Sequence, residues 1–343
     1  MRFQNLKTLS MGVGAVMTAG WACEAPAAVL TYSGANTTNA DRWNTATNWT
    51  ADSGPQKVPS DSDSVIVPSG KIATAWSAAT PTYTGNLTVN GTLQLGWTTV
   101  INESYNALGT PGQTVITMGA GALIKSRSGG TPVIPAVTLN GAATIRLGES
   151  TQTPANADFN YPITGNYQLL LEANANGAID LNATSSFAAL VFNTLNGRGG
   201  NAGTLSANKT GALGSGDVTI NSTGTESNAA NSFRSYTLVF NDTVNGNAMA
   251  DTAVLYYEGA GPAANQTGAN KVQMLASETI GGLFLDGVEQ APGTYGRIGL
   301  AGVDFNVPWI SSTGNGILTV IPEPASLVLA GLGGLLIAAR RRA

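Results

Sequence analysis

Short runs in which every second residue is apolar recur along this chain. In YTGNLTVNGTLQLG, Leu87, Val89, Leu93 and Leu95 alternate with polar residues on either side of Asn90-Gly91. VTLNGAATIRL repeats the form, with Val137, Leu139, Ile145 and Leu147 about Asn140-Gly141. A period of two marks a strand with one face buried. TVITMGAGALIKS, NYQLLLEANANGAIDLNA and AGTLSANKTGALGSGDVTINSTG each show a short β run, then Gly or Asn, then another run. Asn-Gly supplies the positive-φ pair of a tight turn, which predicts antiparallel hairpins at 90–91 and 140–141. A further hairpin is predicted at Asp286-Gly287, between Leu283 and Val288. The recurrence is one of type, without a fixed length. Two all-β architectures fit it: a right-handed parallel β-helix-like solenoid with antiparallel hairpins, and a β-sandwich.

The two extremities break this pattern. At the start, Arg2 and Lys7 precede an uncharged, largely apolar run from Leu9 to Ala22, and Ala25-Pro26-Ala27 follows. That is the layout of a secretory signal peptide over 1–27, cleaved between Ala27 and Ala28. Gly20-Trp21-Ala22 fits poorly before a lipoprotein cysteine, so Cys23 is expected to leave with the leader. At the other end, Ala325 to Ala339 are fifteen residues without a charge, followed by Arg340, Arg341 and Arg342. As a helix the run would reach about 22 Å, against a bilayer core of about 30 Å. It is a marginal span, yet a C-terminal transmembrane helix over 325–339 is expected, with the arginines holding its end in the cytoplasm.

Composition narrows the chemistry. Only 10% of the 343 residues are charged, and 43 are glycine. Strong helix formers are scarce, which agrees with a turn-rich β protein. There is no histidine, so neither a Ser-His-Asp triad nor a histidine-containing zinc site can form. With one cysteine, no intramolecular disulfide is possible. Eleven basic and nineteen acidic residues lie between Ala28 and Pro324, a net charge of −8. The basic residues are scattered, whereas phosphate-backbone binding needs them clustered, so no nucleic-acid partner is expected. No cofactor is expected either.

Pro322-Glu323-Pro324, the apolar stretch Ala325 to Ala339 and the cluster Arg340 to Arg342 stand in order at the C-terminus. This tail resembles the PEP-CTERM sorting signal. The resemblance implies a didermic bacterium. It also implies recognition by an exosortase, an integral-membrane cysteine transpeptidase or protease, with cleavage near Pro-Glu-Pro. Delivery to the cell surface or an extracellular polysaccharide matrix would follow. The protein would be the substrate of that enzyme. It would meet the Sec translocon on export and pass through a membrane-anchored precursor in transient association with the inner membrane. YTGNLTVNGTLQLG and KTGALGSGDVTI resemble the β-strand repeats of autotransporter-like proteins. The domain reading is then signal peptide 1–27, β-strand repeat region 28–230, closing β region 231–320 and sorting signal 321–343.

Candidate binding residues in the exported portion are few. Trp43 and Trp49 either cap an end of a β-stack or stack on sugars. Asp61 and Asp63 either contribute to a calcium site or lie in a solvated turn. A concave groove would draw on Trp76, Trp97 or Trp309. Glycoside chemistry needs two facing carboxylates, and Asp158, Glu172, Asp180, Asp217 and Glu226 show no pairing in sequence. Asn-x-Ser/Thr triplets at Asn36, Asn48, Asn86, Asn102, Asn182, Asn208, Asn221 and Asn241 are read as a product of composition. The expected function is a non-enzymatic structural or adhesive protein of the cell surface or matrix, its partners exopolysaccharide or like matrix proteins. A carbohydrate-binding module or polysaccharide-degrading enzyme on a β-helix is the alternative.

Overall fold

The computed structural model describes residues 27–34, 42–60, 62–75, 83–96, 107–126, 132–148, 156–174, 177–195, 203–221, 236–242, 247–258 and 271–321. The chain enters through β1 (Val29–Tyr32) and β2 (Trp49–Ala51). It then winds in coils of two strands. These are β3 (Ser64–Val67) with β4 (Ile72–Ala75), β5 (Leu87–Val89) with β6 (Thr92–Leu95), β7 (Val115–Met118) with β8 (Leu123–Ser126), and β9 (Ala136–Leu139) with β10 (Ala143–Leu147). A third side opens in the next coil, which holds β11 (Ala157–Phe159), β12 (Ile163–Thr164) and β13 (Gln168–Asn174). Further coils carry β14 (Ala178–Leu181) and β15 (Ala189–Leu195), β16 (Gly203–Ala207) and β17 (Val218–Asn221), β18 (Tyr236–Phe240) and β19 (Val254–Glu258), then β20 (Lys271–Met274), β21 (Glu278–Ile280) and β22 (Gly282–Leu285). The closing strands are β23 (Val288–Glu289), β24 (Gly293–Arg297), β25 (Phe305–Val307) and β26 (Leu318–Val320).

Each strand pairs with its counterpart one coil away. The resulting sheets run β12-β9-β7-β5-β3-β1-β2, β23-β22-β19-β17-β15-β13-β10-β8-β6-β4, β11-β14-β16-β18-β20 and β21-β26-β24-β25. The long sheets are parallel from coil to coil, as in β13 on β15 over seven register pairs. This is the stacked solenoid of the two architectures; a sandwich would have paired its strands antiparallel. The ladders β16–β18 and β17–β19 run across position 230. Inward positions of every coil, such as Leu87, Leu93, Ile145, Leu171, Phe192 and Leu255, form one continuous core with almost no solvent exposure.

Two predicted hairpins are corrected. Asn90-Gly91 joins β5 to β6, and Asn140-Gly141 joins β9 to β10, but the joined strands lie in different sheets. These turns are corners. The amides of Asn90 and Gly91 donate to the Val67 carbonyl of the preceding coil, at 2.8 and 3.1 Å, and Asn140 donates to Met118 at 2.8 Å. Neither glycine has a positive φ. Glycine is needed there because coils press together: a Cβ on Gly91 would overlap the carbonyl oxygens of Pro68 and Lys71, and one on Gly141 the backbone of Ala120. The third predicted hairpin is present. Asp286 and Gly287, at φ 50° and 75°, turn β22 antiparallel onto β23, the left-handed pair that a two-residue hairpin demands.

The transmembrane part of the expected fold is also corrected. No helix among the described residues is long and apolar enough to cross a membrane. The span expected at 325–339 lies outside them, and its fifteen residues fall short of the roughly 20 a spanning helix needs. A membrane-anchored precursor, and the inner-membrane association attached to it, therefore leave the account.

Candidate functional site

Asparagine does much of the stacking. At one corner Asn182 Nδ2 donates to Asn160 Oδ1 at 2.8 Å, Asn208 to Asn182 at 2.7 Å, and Asn241 to Asn208 at 2.9 Å. Two residues on, the Thr184 hydroxyl donates to the Thr210 carbonyl at 2.7 Å, and the Thr210 hydroxyl to Asp242 at 2.6 Å. The Asn-x-Thr triplets at 182 and 208 are thus rungs of a ladder, not a by-product of composition.

The ends of the stack are closed differently. Tyr32, Trp43, Trp49 and Tyr83 are fully buried at the first coil. Tyr32 and Trp43 each meet Trp49 edge-on, at 5.0 and 4.8 Å between ring centroids. The Trp49 indole N–H donates to the Trp43 carbonyl at 2.7 Å. With no open ring face, these aromatics cap the core and do not stack on sugars. Asp63 is buried too: its carboxylate accepts from the Ala28 amide at 3.1 Å and the Ser60 amide at 3.1 Å, and pairs with Lys57 at 2.8 Å. It is not a solvated turn residue; the described residues, which do not include Asp61, contain no cluster of three or more metal-binding side chains. Asp61, Trp76, Trp97 and Glu226 lie outside the described residues. Trp309 is half-buried, packed near Tyr295 at 6.0 Å.

Among the remaining acids, Glu172 pairs with Arg146 at 2.6 Å, and Asp217 accepts the Val254 amide at 2.9 Å. Both are structural. Asp158 and Asp180, unlinked in sequence, are register partners on β11 and β14. Partial burial raises the Asp158 carboxyl above its ordinary value, and the charge of Asp180 raises it further. Glu278 was not singled out from the sequence. It is buried on β21 and accepts from the amides of Ala248 at 2.8 Å and Met249 at 3.0 Å. Burial pushes its carboxyl up to about 7, Asp251 and Asp242 adding to the rise against those two donors.

Among the described residues the sheet with the most strands is the ten-stranded one, and its outer face carries a regular pattern. Register places Ile72, Thr92, Leu123, Thr144, Leu170, Val191, Thr219, Tyr256 and Phe284 in one unbroken column. Beside it run Gln94, Lys125, Arg146, Glu172, Asn193, Asn221 and Glu258. At about 4.8 Å per strand this column extends some 38 Å. It ends in Tyr256 and Phe284, half-exposed rings stacked at 5.0 Å and 22°. The column is six aliphatic or aromatic side chains and three threonines, flanked by amides and charges.

The last described residue, Ile321, is held to the closing coil by its amide to Ile280 at 3.0 Å. The chain then continues into Pro322-Glu323-Pro324. Residues 320–342 match the family model of the PEP-CTERM protein-sorting motif. The chain carries a PEP-CTERM sorting tail. Pro322, Glu323, Pro324, Arg340, Arg341 and Arg342 fall within that match and outside the described residues; residues 1–26, where a signal peptide is expected, also lie outside them. The PEP-CTERM tail supports extracellular or cell-surface sorting with an exosortase as the enzyme that acts on it. No curated protein and no solved structure matches the chain.

Proposed function

We propose that this PEP-CTERM protein is a structural or adhesive component of the bacterial cell surface or exopolysaccharide matrix and performs no chemistry of its own. The continuous two-column face of the ten-stranded sheet carries this reading. It offers a long, shallow surface for many weak contacts, which suits a polysaccharide or neighbouring matrix proteins. The Sec translocon would deliver the chain across the inner membrane, and an exosortase would process the tail. The test is co-sedimentation of the mature protein with the host's isolated exopolysaccharide. Retention is expected, with a severalfold loss in a Tyr256→Ala/Phe284→Ala variant that keeps its fold. Equal retention of the two proteins would remove the proposed face from the account.

One observation favours a second reading, polysaccharide cleavage at Asp158 and Asp180. The two residues are register partners on β11 and β14, so two carboxylates share one face of the sheet, and glycoside cleavage needs a pair of carboxyl groups. Release of reducing ends from host polysaccharide, abolished in Asp158→Asn and Asp180→Asn, would establish it.

A further inference from the structure

Ala28, read from the sequence as the residue that follows the leader, is not a loose end. It is buried, and its nitrogen points at a buried carboxylate. The Ala28 amide donates to Asp63 Oδ1 at 3.1 Å, while its carbonyl accepts the Ser64 amide at 2.9 Å. The next amide, Val29, donates to Asp52 Oδ1 at 2.9 Å. Lys57 reaches Asp63 Oδ1 at 2.8 Å. Asp61, adjacent in sequence, lies outside the described residues. At the start of β1 stand two carboxylates, Asp63 on the Ala28 amide and the exposed Asp52 on the Val29 amide, and one ammonium, Lys57. Lys57 already pairs with Asp63, and the set as a whole keeps one negative charge.

We infer that removal of the leader gives Asp63 a second cation beside Lys57: the new α-ammonium of Ala28 forms an internal ion pair with Asp63 that fastens β1 to β3 and the first coil. This rests on cleavage between Ala27 and Ala28. Hydrolysis of that peptide bond adds the hydroxyl of water to the Ala27 carbonyl carbon and a proton to the Ala28 nitrogen. Proton transfer from the new acid then leaves a carboxylate on the leader and an ammonium on the mature chain. A neutral N–H donor becomes a cationic one at the same place. Charge-assisted hydrogen bonds are shorter and about twice as strong as neutral ones, and the four-group set becomes neutral. Export and folding are thereby coupled: only a chain cut at this bond holds the charge that completes its N-terminal coil.

The test uses the protein exported through its own leader. Its N-terminal residue is identified by mass spectrometry, and its α-amine is titrated by competitive acetylation between pH 6 and 10. An ordinary α-amine titrates at about 7.7–8.0; the Asp63 carboxylate raises the Ala28 amine, while burial and Lys57 oppose the rise. The Ala28 amine is expected to acetylate severalfold more slowly near neutral pH than that of a chain made without a leader and starting at Ala27. In Asp63→Asn the protection is lost. An Ala28 amine that labels as fast as the Ala27 one overturns the ion pair. A mature chain that begins elsewhere overturns the inference through the cleavage site on which it rests.

Discussion

Glu278 makes stability depend on pH in a direction opposite to most carboxylates. Its folded value is raised from 4.5 to about 7, chiefly by burial. Each tenfold change in proton affinity is worth about 1.4 kcal/mol, so the group carries about 3 kcal/mol between its two limits. Below about pH 4.5 the carboxyl is protonated in both folded and unfolded chains, and this group's contribution to stability is fully present. As pH rises the unfolded chain releases the proton first, while the folded chain still holds it. Stability then falls, and the loss is complete above about pH 7. Glu278→Gln removes the titration but leaves only one oxygen for the amides of Ala248 and Met249. That variant is expected to be less stable at pH 5 by about 1 kcal/mol, one hydrogen bond's worth. At pH 8 the order reverses, because the wild type has lost about 2–3 kcal/mol that the variant has not. Urea unfolding of both proteins at pH 5, 6.5 and 8, followed by tryptophan fluorescence, measures this difference directly. A wild-type-to-variant difference that is the same at pH 5 and pH 8 would refute the assignment of the raised carboxyl to Glu278.

The stacked geometry yields further expectations. Gly141→Ala drives a methyl group into the backbone of Ala120 and is expected to cost about 1–3 kcal/mol or more, seen as a lower urea midpoint. Asn208→Ala breaks two consecutive ladder bonds, to Asn182 and from Asn241; a loss of about 1–3 kcal/mol is expected, with faster amide exchange in the coils on both sides. Asp180→Asn removes the charge that faces Asp158. The Asp158 carboxyl, followed by NMR, should then titrate lower while staying above its ordinary value, because burial is the larger cause.

The sequence was legible wherever structure is local. Leu87, Val89, Leu93 and Leu95 are buried as their alternation predicts. Asp286-Gly287 turns a hairpin because both residues reach positive φ without help from elsewhere. Asn90-Gly91 shows where local reading stops. The same dipeptide that builds a hairpin also suits a solenoid corner, and what distinguishes them is the strand one coil away. The spacing between coils hides that strand. Successive rungs of the asparagine ladder are separated by 22, 26 and 33 residues, since inserts of unequal length interrupt each coil. For the same reason Asp158 and Asp180 look unrelated along the chain and adjacent in the sheet. The Asn-x-Thr triplets held the missing signal: an amide and a hydroxyl at fixed offset, recurring where coils turn. Glu278 offered none, because the amides that meet it, Ala248 and Met249, lie 30 and 29 residues away in the chain. The sorting tail was the most legible element, as its three parts are contiguous and their order alone defines them.

The central claim is that a β-solenoid cargo is exported and handed to an exosortase through its PEP-CTERM tail. Identifying the C-terminal residue of the surface-located protein by mass spectrometry, in the native host and in a strain lacking its exosortase, tests it most directly. A chain that ends near Pro324 in the parent strain, and one that keeps Arg340 to Arg342 in the deletion strain, is the predicted result. An identical, full-length C-terminus on the surface of both strains would contradict it.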